Sequence, residues 1–299
     1  MTTTSDDEVN ALLSDNPPTV VDIPETTAAA VATVAAVSDP PAAPVSNEFA
    51  AKVAEADEML DLLMARIGGV QAHTKFIKVL IYGMPGTRKT VFMATAPKPL
   101  IIDIEKGTHS IRNHPQLVPE VQVLDFRSIF QAEQLLKYLA RKDDIPALKD
   151  RETVCVDSFS ELSKRDLDEI VAAEAAKDAS RNKYLPIGAD YNVSTEHMRQ
   201  FASALRDLPM HVVVTCHVKE EKDESTGRLL VRPNLTPKLA GTLAGIFDVV
   251  GYMQLDNDTA KLQVHPTNTV TAKTRIGGLP PIIENPTFND LLTAFNKTA

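Results

Sequence analysis

Lys78-Val79-Leu80-Ile81-Tyr82-Gly83-Met84-Pro85-Gly86-Thr87-Arg88-Lys89-Thr90 decides the fold. An apolar run of strand length feeds directly into a loop that carries glycines and ends in Lys-Thr. A phosphate-binding loop needs a strand to fix its base and glycines that let backbone N–H groups close around phosphate oxygens. It also needs a lysine for the β/γ charge and a hydroxyl for Mg²⁺. Of the eight positions from Gly83 to Thr90, seven fit the pattern Gly-x-x-x-x-Gly-Lys-[Ser/Thr]. The exception is Arg88, which stands where the second glycine is expected, so a Cβ could crowd a backbone that must approach phosphate closely. Gly83, Met84, Pro85, Gly86, Thr87, Arg88, Lys89 and Thr90 are thus the candidate ATP-binding residues, with Thr90 a candidate Mg²⁺ ligand.

Two further apolar runs extend the pattern. Pro99-Leu-Ile-Ile-Asp-Ile-Glu105 ends in carboxylates at alternate positions, and Thr153-Val-Cys-Val-Asp157-Ser158 ends in one. Parallel strands buried on both faces read as continuous apolar runs, and ligands of open α/β sheets sit beyond the carboxyl ends of the strands. Asp157 then reads as the Walker B acid, holding Mg²⁺ through water, with Ser158 beside it. Glu105 is the candidate for polarising the attacking water, one strand over and on the same face as Asp103. The competing reading makes each acid a strand-end cap of the next helix.

The 299 residues suffice for one sizeable α/β domain with appendages. Net charge is −9, yet residues 1–66 hold 12 acidic against 2 basic side chains, leaving 28 acidic and 29 basic for the rest. A neutral core permits nucleic-acid binding through local basic loops and argues against a broad electrostatic footprint. Cys155 and Cys216 each sit inside an apolar run and read as buried core residues; no disulfide framework or zinc spacing is present, which suits a reducing cytoplasm. The apolar segment 28–37 is too short to span a bilayer and has no basic region before it, so no membrane association is expected.

Residues 1–45 are low-complexity Thr, Ala, Val, Pro and Asp and read as a disordered tail. Over 46–69, Phe49, Val53, Leu60, Leu63, Met64 and Ile67 follow helical spacing, and Gly68-Gly69 supplies the stop. This amphipathic helix packs either on its own core or on a neighbour. The domain proper is expected over 70–299. Helices are expected at 89–96, 128–141, 159–178, 193–207 and 288–296, and a fourth strand at 211–217. The charged segment 219–237 reads as a hairpin or mobile loop, with Ser225-Thr226-Gly227 as its turn. Further strands are expected at 247–255, 261–265 and 270–274. The fold class is α/β, a mostly parallel sheet flanked by helices with antiparallel C-terminal strands.

With these motifs in view, residues 76–297 resemble the RecA-like branch of P-loop ATPases, in particular the shortened phage-encoded single-strand annealing or recombination proteins of the Sak type. The segments that carry the resemblance are 83–90, 100–107, 154–158, 212–217 and Ala272-Lys273-Thr274-Arg275. It implies an ATP- and Mg²⁺-dependent hydrolase with Glu105 as catalytic base and Lys89 on the phosphates. The polar residue ending the fourth strand, here His217, would sense the γ-phosphate and couple it to DNA. Similar Lys-x-Arg pairs reach the ATP site of the next subunit, which puts Lys273 and Arg275 in catalysis across a ring or filament of identical chains. The other reading of that pair is a solvated basic strand end.

The resemblance also points to single-stranded DNA as partner, in the cytoplasm of the host cell if the chain is phage-encoded. Arg181, Lys183, Tyr184 and Tyr191 put cations beside aromatics between two helices, at a position similar to the first DNA loop of RecA-like proteins. Packing between helices is the alternative for both tyrosines. Three functional readings stand: a recombination ATPase, a non-hydrolysing DNA-binding or scaffold protein on a degenerate P-loop, and a helicase or helicase-loading ATPase.

Overall fold

The computed structural model describes residues 47–65, 67, 75–125, 128–224 and 227–298. The expected tail and the Ser225-Thr226 part of the expected turn lie outside the described residues. The chain divides into two units at Ile67–Gly68. The first contributes one described helix, α1 (Asn47–Met64).

The second unit runs β1 (Lys78–Gly83), α2 (Lys89–Ala94), β2 (Pro99–Asp103), β3 (Gln122–Asp125), α3 (Ile129–Leu139), β4 (Thr153–Asp157), α4 (Phe159–Lys177), α5 (Gly188–Asp207), β5 (His211–Lys222), β6 (Leu229–Pro233), α6 (Pro237–Ile246), β7 (Val249–Asp256), β8 (Thr259–Gln263), β9 (Lys273–Thr274), β10 (Ile282–Glu284) and α7 (Phe288–Thr298). The strands form one mixed, mostly parallel sheet in the order β10-β8-β7-β1-β5-β4-β2-β3. The neighbours from β7 to β3 are parallel. β8 and β10 extend the sheet antiparallel beyond β7, while β6 pairs with β5 and β9 with β7.

Alternate residues of each parallel strand feed two cores. Leu80 and Tyr82, Ile102, Val154 and Val156, Val212 and Val214 pack under α3 to α6. Val79 and Ile81, Ile101, Cys155 and Val213 pack under α2 and α7 with Phe92, Met93, Phe288 and Leu291. Because both faces are covered, the strands are apolar throughout rather than alternating. Both cysteines are free and fully buried.

β3, β10 and α6 are not among the expected elements. β3, a short edge strand with exposed Gln122, Val123 and Asp125, has no apolar run to announce it. α6 is a helix despite Gly241 and Gly245, and it fills the stretch between the segment expected as a loop and the strand expected from 247. β5 and β6 form a hairpin in which Lys219 and Arg232 both pair with Glu221.

His211, at the start of β5, makes the domain acid-labile. Its Nδ1 accepts a hydrogen bond from the Ile77 N–H at 3.1 Å, and its ring lies between Phe76 and Phe288. Burial, assisted by the nearby Lys78 charge, lowers its pKa from the ordinary 6.5 to about 4. The unfolded chain therefore takes up this proton first as pH falls. The contribution is intact above pH 6.5 and is lost between there and pH 4, by about 3 kcal/mol at 1.36 kcal/mol per unit. Urea titrations at several pH values should show His211→Asn, which keeps an acceptor for Ile77, losing stability less steeply over that window than the parent.

Candidate functional site

Parallel register brings the carboxyl ends of four strands to one rim. Gly83 pairs with His217 across β1 and β5, and Asp103 pairs with Asp157 across β2 and β4. At Gly83 an added Cβ would lie 2.2 Å from the Met253 carbonyl oxygen on β7, so the first glycine is a packing requirement. Gly86 turns the loop with φ +81°. α2 then starts at Lys89.

Around the loop lies a cleft of about 610 Å³, lined among others by Gly86, Lys89, Thr90, Glu105, Asp157 and His217. That volume falls in the range of small-molecule sites. The Lys89 amine is buried at 8 % exposure and donates to the Gly83 and Met84 carbonyls at 3.0 and 2.8 Å. Burial lowers its pKa, opposed by the charges of Asp157 and Glu105. Thr90 Oγ1 donates to Asp157 Oδ2 at 2.7 Å, and Thr215 Oγ1 donates to Asp157 Oδ1 at 2.6 Å. Burial raises the Asp157 carboxyl above the usual carboxylate range, against the pull of those two hydroxyls. The Asp157–Ser158 peptide is cis.

Glu105 lines the same cleft as Lys89. Its Oε1 is 2.6 Å from His217 Nε2 and also accepts from Ser158 Oγ. Burial works to raise this carboxyl, but the bonds from His217 and Ser158 and the His217 charge outweigh it and hold the group below its usual range. The same bond raises His217 against its partial burial. Glu105 and His217 thus form a hydrogen-bonded pair, ionic when His217 is protonated.

Asp103 and Glu105 do not share a strand face as alternation suggests. β2 ends at Asp103, and the N–H groups of Ile104 and Glu105 turn onto the Asp157 carbonyl. The Asp103 carboxylate accepts from Gly107 N–H and Thr108 Oγ1, fixing the turn that carries Glu105. Ser158 caps α4 by accepting from Glu161 N–H and donates to Glu105. Thr215 was not foreseen as a site residue. Its signal was a hydroxyl inside the apolar run Val212-Val-Val-Thr-Cys216.

Arg88 lines the cleft. Its backbone takes the left-handed conformation at φ 71°, ψ 22°, and its guanidinium pairs with Asp258 in the β7–β8 turn. The residue supplies the torsion a glycine would give, at a cost of about 1–2 kcal/mol for a side chain, partly offset by an exposed ion pair worth about 0–1 kcal/mol. Arg88→Gly is therefore expected to raise stability by up to about 1 kcal/mol. It should leave ATP affinity within about threefold; a gain beyond about tenfold, in a calorimetric titration, would mean that the side chain obstructs the site.

The remaining candidates lie elsewhere. Lys273 and Arg275 emerge at the opposite rim, since Lys273 pairs with Val250 near the start of β7. Lys273 Nζ donates to the Ala244 and Phe247 carbonyls, and Arg275 to the Gly245 carbonyl and Asp248. Within the chain they cap the end of α6, where cations complement the helix dipole. Arg181 is tied to the buried Asp190 and is not open to a phosphate in this arrangement. Lys183 lies over the Tyr184 ring, 5.0 Å from its centroid, and Tyr184 is 75 % exposed. Tyr191 borders a second cleft of about 460 Å³, which also contains Ser160, Lys164, Asn234 and His217. His217 is the residue common to both clefts.

The model of the family described as AAA domain matches residues 75–276, about two thirds of the chain and every strand of the nucleotide cleft. The chain belongs to the AAA domain family. This AAA domain has a P-loop ATPase-type core, in agreement with the sheet and loop just described. Compared with curated proteins, the chain has no match. Among the described residues, no helix of this AAA protein is long and apolar enough to cross a membrane.

Proposed function

We propose that this AAA domain binds ATP with Mg²⁺ in the 610 Å³ cleft, hydrolyses it, and uses the cycle on single-stranded DNA in phage recombination or annealing, in the cytoplasm of the host cell. The observation that carries the reading is the convergence of Lys89, Thr90, Glu105 and Asp157 on one cleft. Thr90 and Asp157 fit Mg²⁺: their oxygens are hard donors 2.7 Å apart. They lie beside Gly107, where an added Cβ would come within 3.8 Å of both. Among the described residues no three His, Cys, Asp or Glu side chains could hold a metal by themselves. That suits a cation held largely by phosphate and water. When bound, Mg²⁺ supplies neutralising charge for the transferred phosphoryl group.

In this reading Lys89 exchanges its two loop carbonyls for phosphate oxygens, and Glu105 accepts a proton from the attacking water once His217 leaves it. His217 is drawn toward the γ-phosphate, and its place between the two clefts supports a coupling of that movement to a strand on Tyr184, Tyr191 and Lys183. In a ring or filament, Lys273 and Arg275 would exchange their α6 carbonyls for a neighbour's phosphates, which makes hydrolysis depend on assembly. Against the degenerate-loop alternative stands the pairing of the Arg88 guanidinium with Asp258, which engages it outside the phosphate loop.

ATP turnover measured across protein concentrations, with and without a single-stranded oligonucleotide, tests the reading. Specific activity should rise with concentration and at least several-fold with DNA. A rate indifferent to both would rule out the DNA partner and the contribution in trans.

A further inference from the structure

α1 carries a row of exposed large apolar residues: Met59, Leu60, Leu63, Met64 and Ile67 are between 54 and 72 % exposed. Helices in proteins owe most of their stability to packing an apolar face. Its sequence says which partner fits. Apolar residues fall at 49, 53, 56, 60, 63 and 67, alternating by four and three, which is a heptad seam with 53, 60 and 67 at a and 49, 56 and 63 at d. The a positions hold Val53, Leu60 and Ile67 and the d positions Phe49, Ala56 and Leu63; β-branched residues at two of three a positions with a Leu at d match the parallel two-stranded pattern. Met59 at g and Met64 at e widen the seam, and Leu62 alone among the exposed large residues falls outside it.

Charge selects both occupant and direction. Glu48, Glu55, Glu58 and Asp61 fall at the outer c, f and b positions, an acidic face that disfavours anionic lipid or nucleic acid as the cover. In a parallel pair Lys52 at g faces Asp57 of the partner subunit at e; in an antiparallel pair Asp57 would face the same residue of the partner. We propose that α1 forms a parallel, in-register coiled coil with α1 of a second copy of this chain, so that the N-terminal unit is a homotypic interaction device.

Disulfide trapping in the full-length protein tests this, because Cys155 and Cys216 are fully buried and give no background. Ala56→Cys stands at d, where in-register Cα atoms come within disulfide reach, and Glu58→Cys stands at f on the outside. Under mild oxidation the Ala56→Cys chains should link at least about tenfold faster than the Glu58→Cys chains. Adding Lys52→Glu to Ala56→Cys should slow linking several-fold, and adding Asp57→Lys as well should restore it. Equal rates at 56 and 58, no linking at all, or indifference to the charge reversal would each overturn the proposal.

Discussion

Glu105→Gln should lower ATP turnover by at least about 10²-fold, within the 10²–10⁴ range of a lost general base, while ATP affinity changes by less than about threefold. The substitution keeps the shape of the side chain and its bonding reach to Ser158 and His217 but removes the proton acceptor. Asp157, the other carboxylate in the cleft, cannot replace it. It is nearly fully buried, with both oxygens accepting from Thr90 and Thr215, and its carboxyl is raised by burial toward the neutral form until a cation offsets that cost. Single-turnover measurement with saturating ATP separates the outcomes. A variant that binds and does not turn over fits the assignment, and one with parental turnover removes Glu105 from catalysis.

Lys89→Ala should abolish binding at working ATP concentrations, an effect of at least about 100-fold in affinity from removing a charge-assisted contact in a low-dielectric cleft. The amine is desolvated and rests on two loop carbonyls, so its charge is held at the base of the loop before any ligand arrives. Preorganisation of this kind is what makes a single cation count for so much. The core under α2 rests on Phe92, Met93 and Ala94, which the substitution leaves in place.

Much of this was legible in the sequence because the decisive chemistry is local. A strand, a glycine-bearing loop and Lys-Thr in succession leave little choice of geometry, and the apolar runs at 79–82, 100–102, 154–156 and 212–214 mark strands covered on both faces. Asp157 and His217 were placed correctly at one rim because both close such runs. What was hidden depends on contacts between distant segments. No local rule inserts β5 between β1 and β4, yet that order is what delivers Thr215 to Asp157 and His217 to Glu105. The ion pair that engages Arg88 depends on Asp258, 170 residues away. Likewise the α6 carbonyls that occupy Lys273 and Arg275 belong to a helix whose two glycines concealed it. Arg181 was read as a free cation because its partner Asp190 lies across a loop.

The most direct test of the central claim is an equilibrium titration of ATP into the full-length protein and into Lys89→Ala, each with and without Mg²⁺. The account predicts saturable, Mg²⁺-enhanced binding by the parent chain and none by the variant over the same concentrations. Binding of equal strength by both, or by neither, would contradict the assignment of this cleft as the nucleotide site.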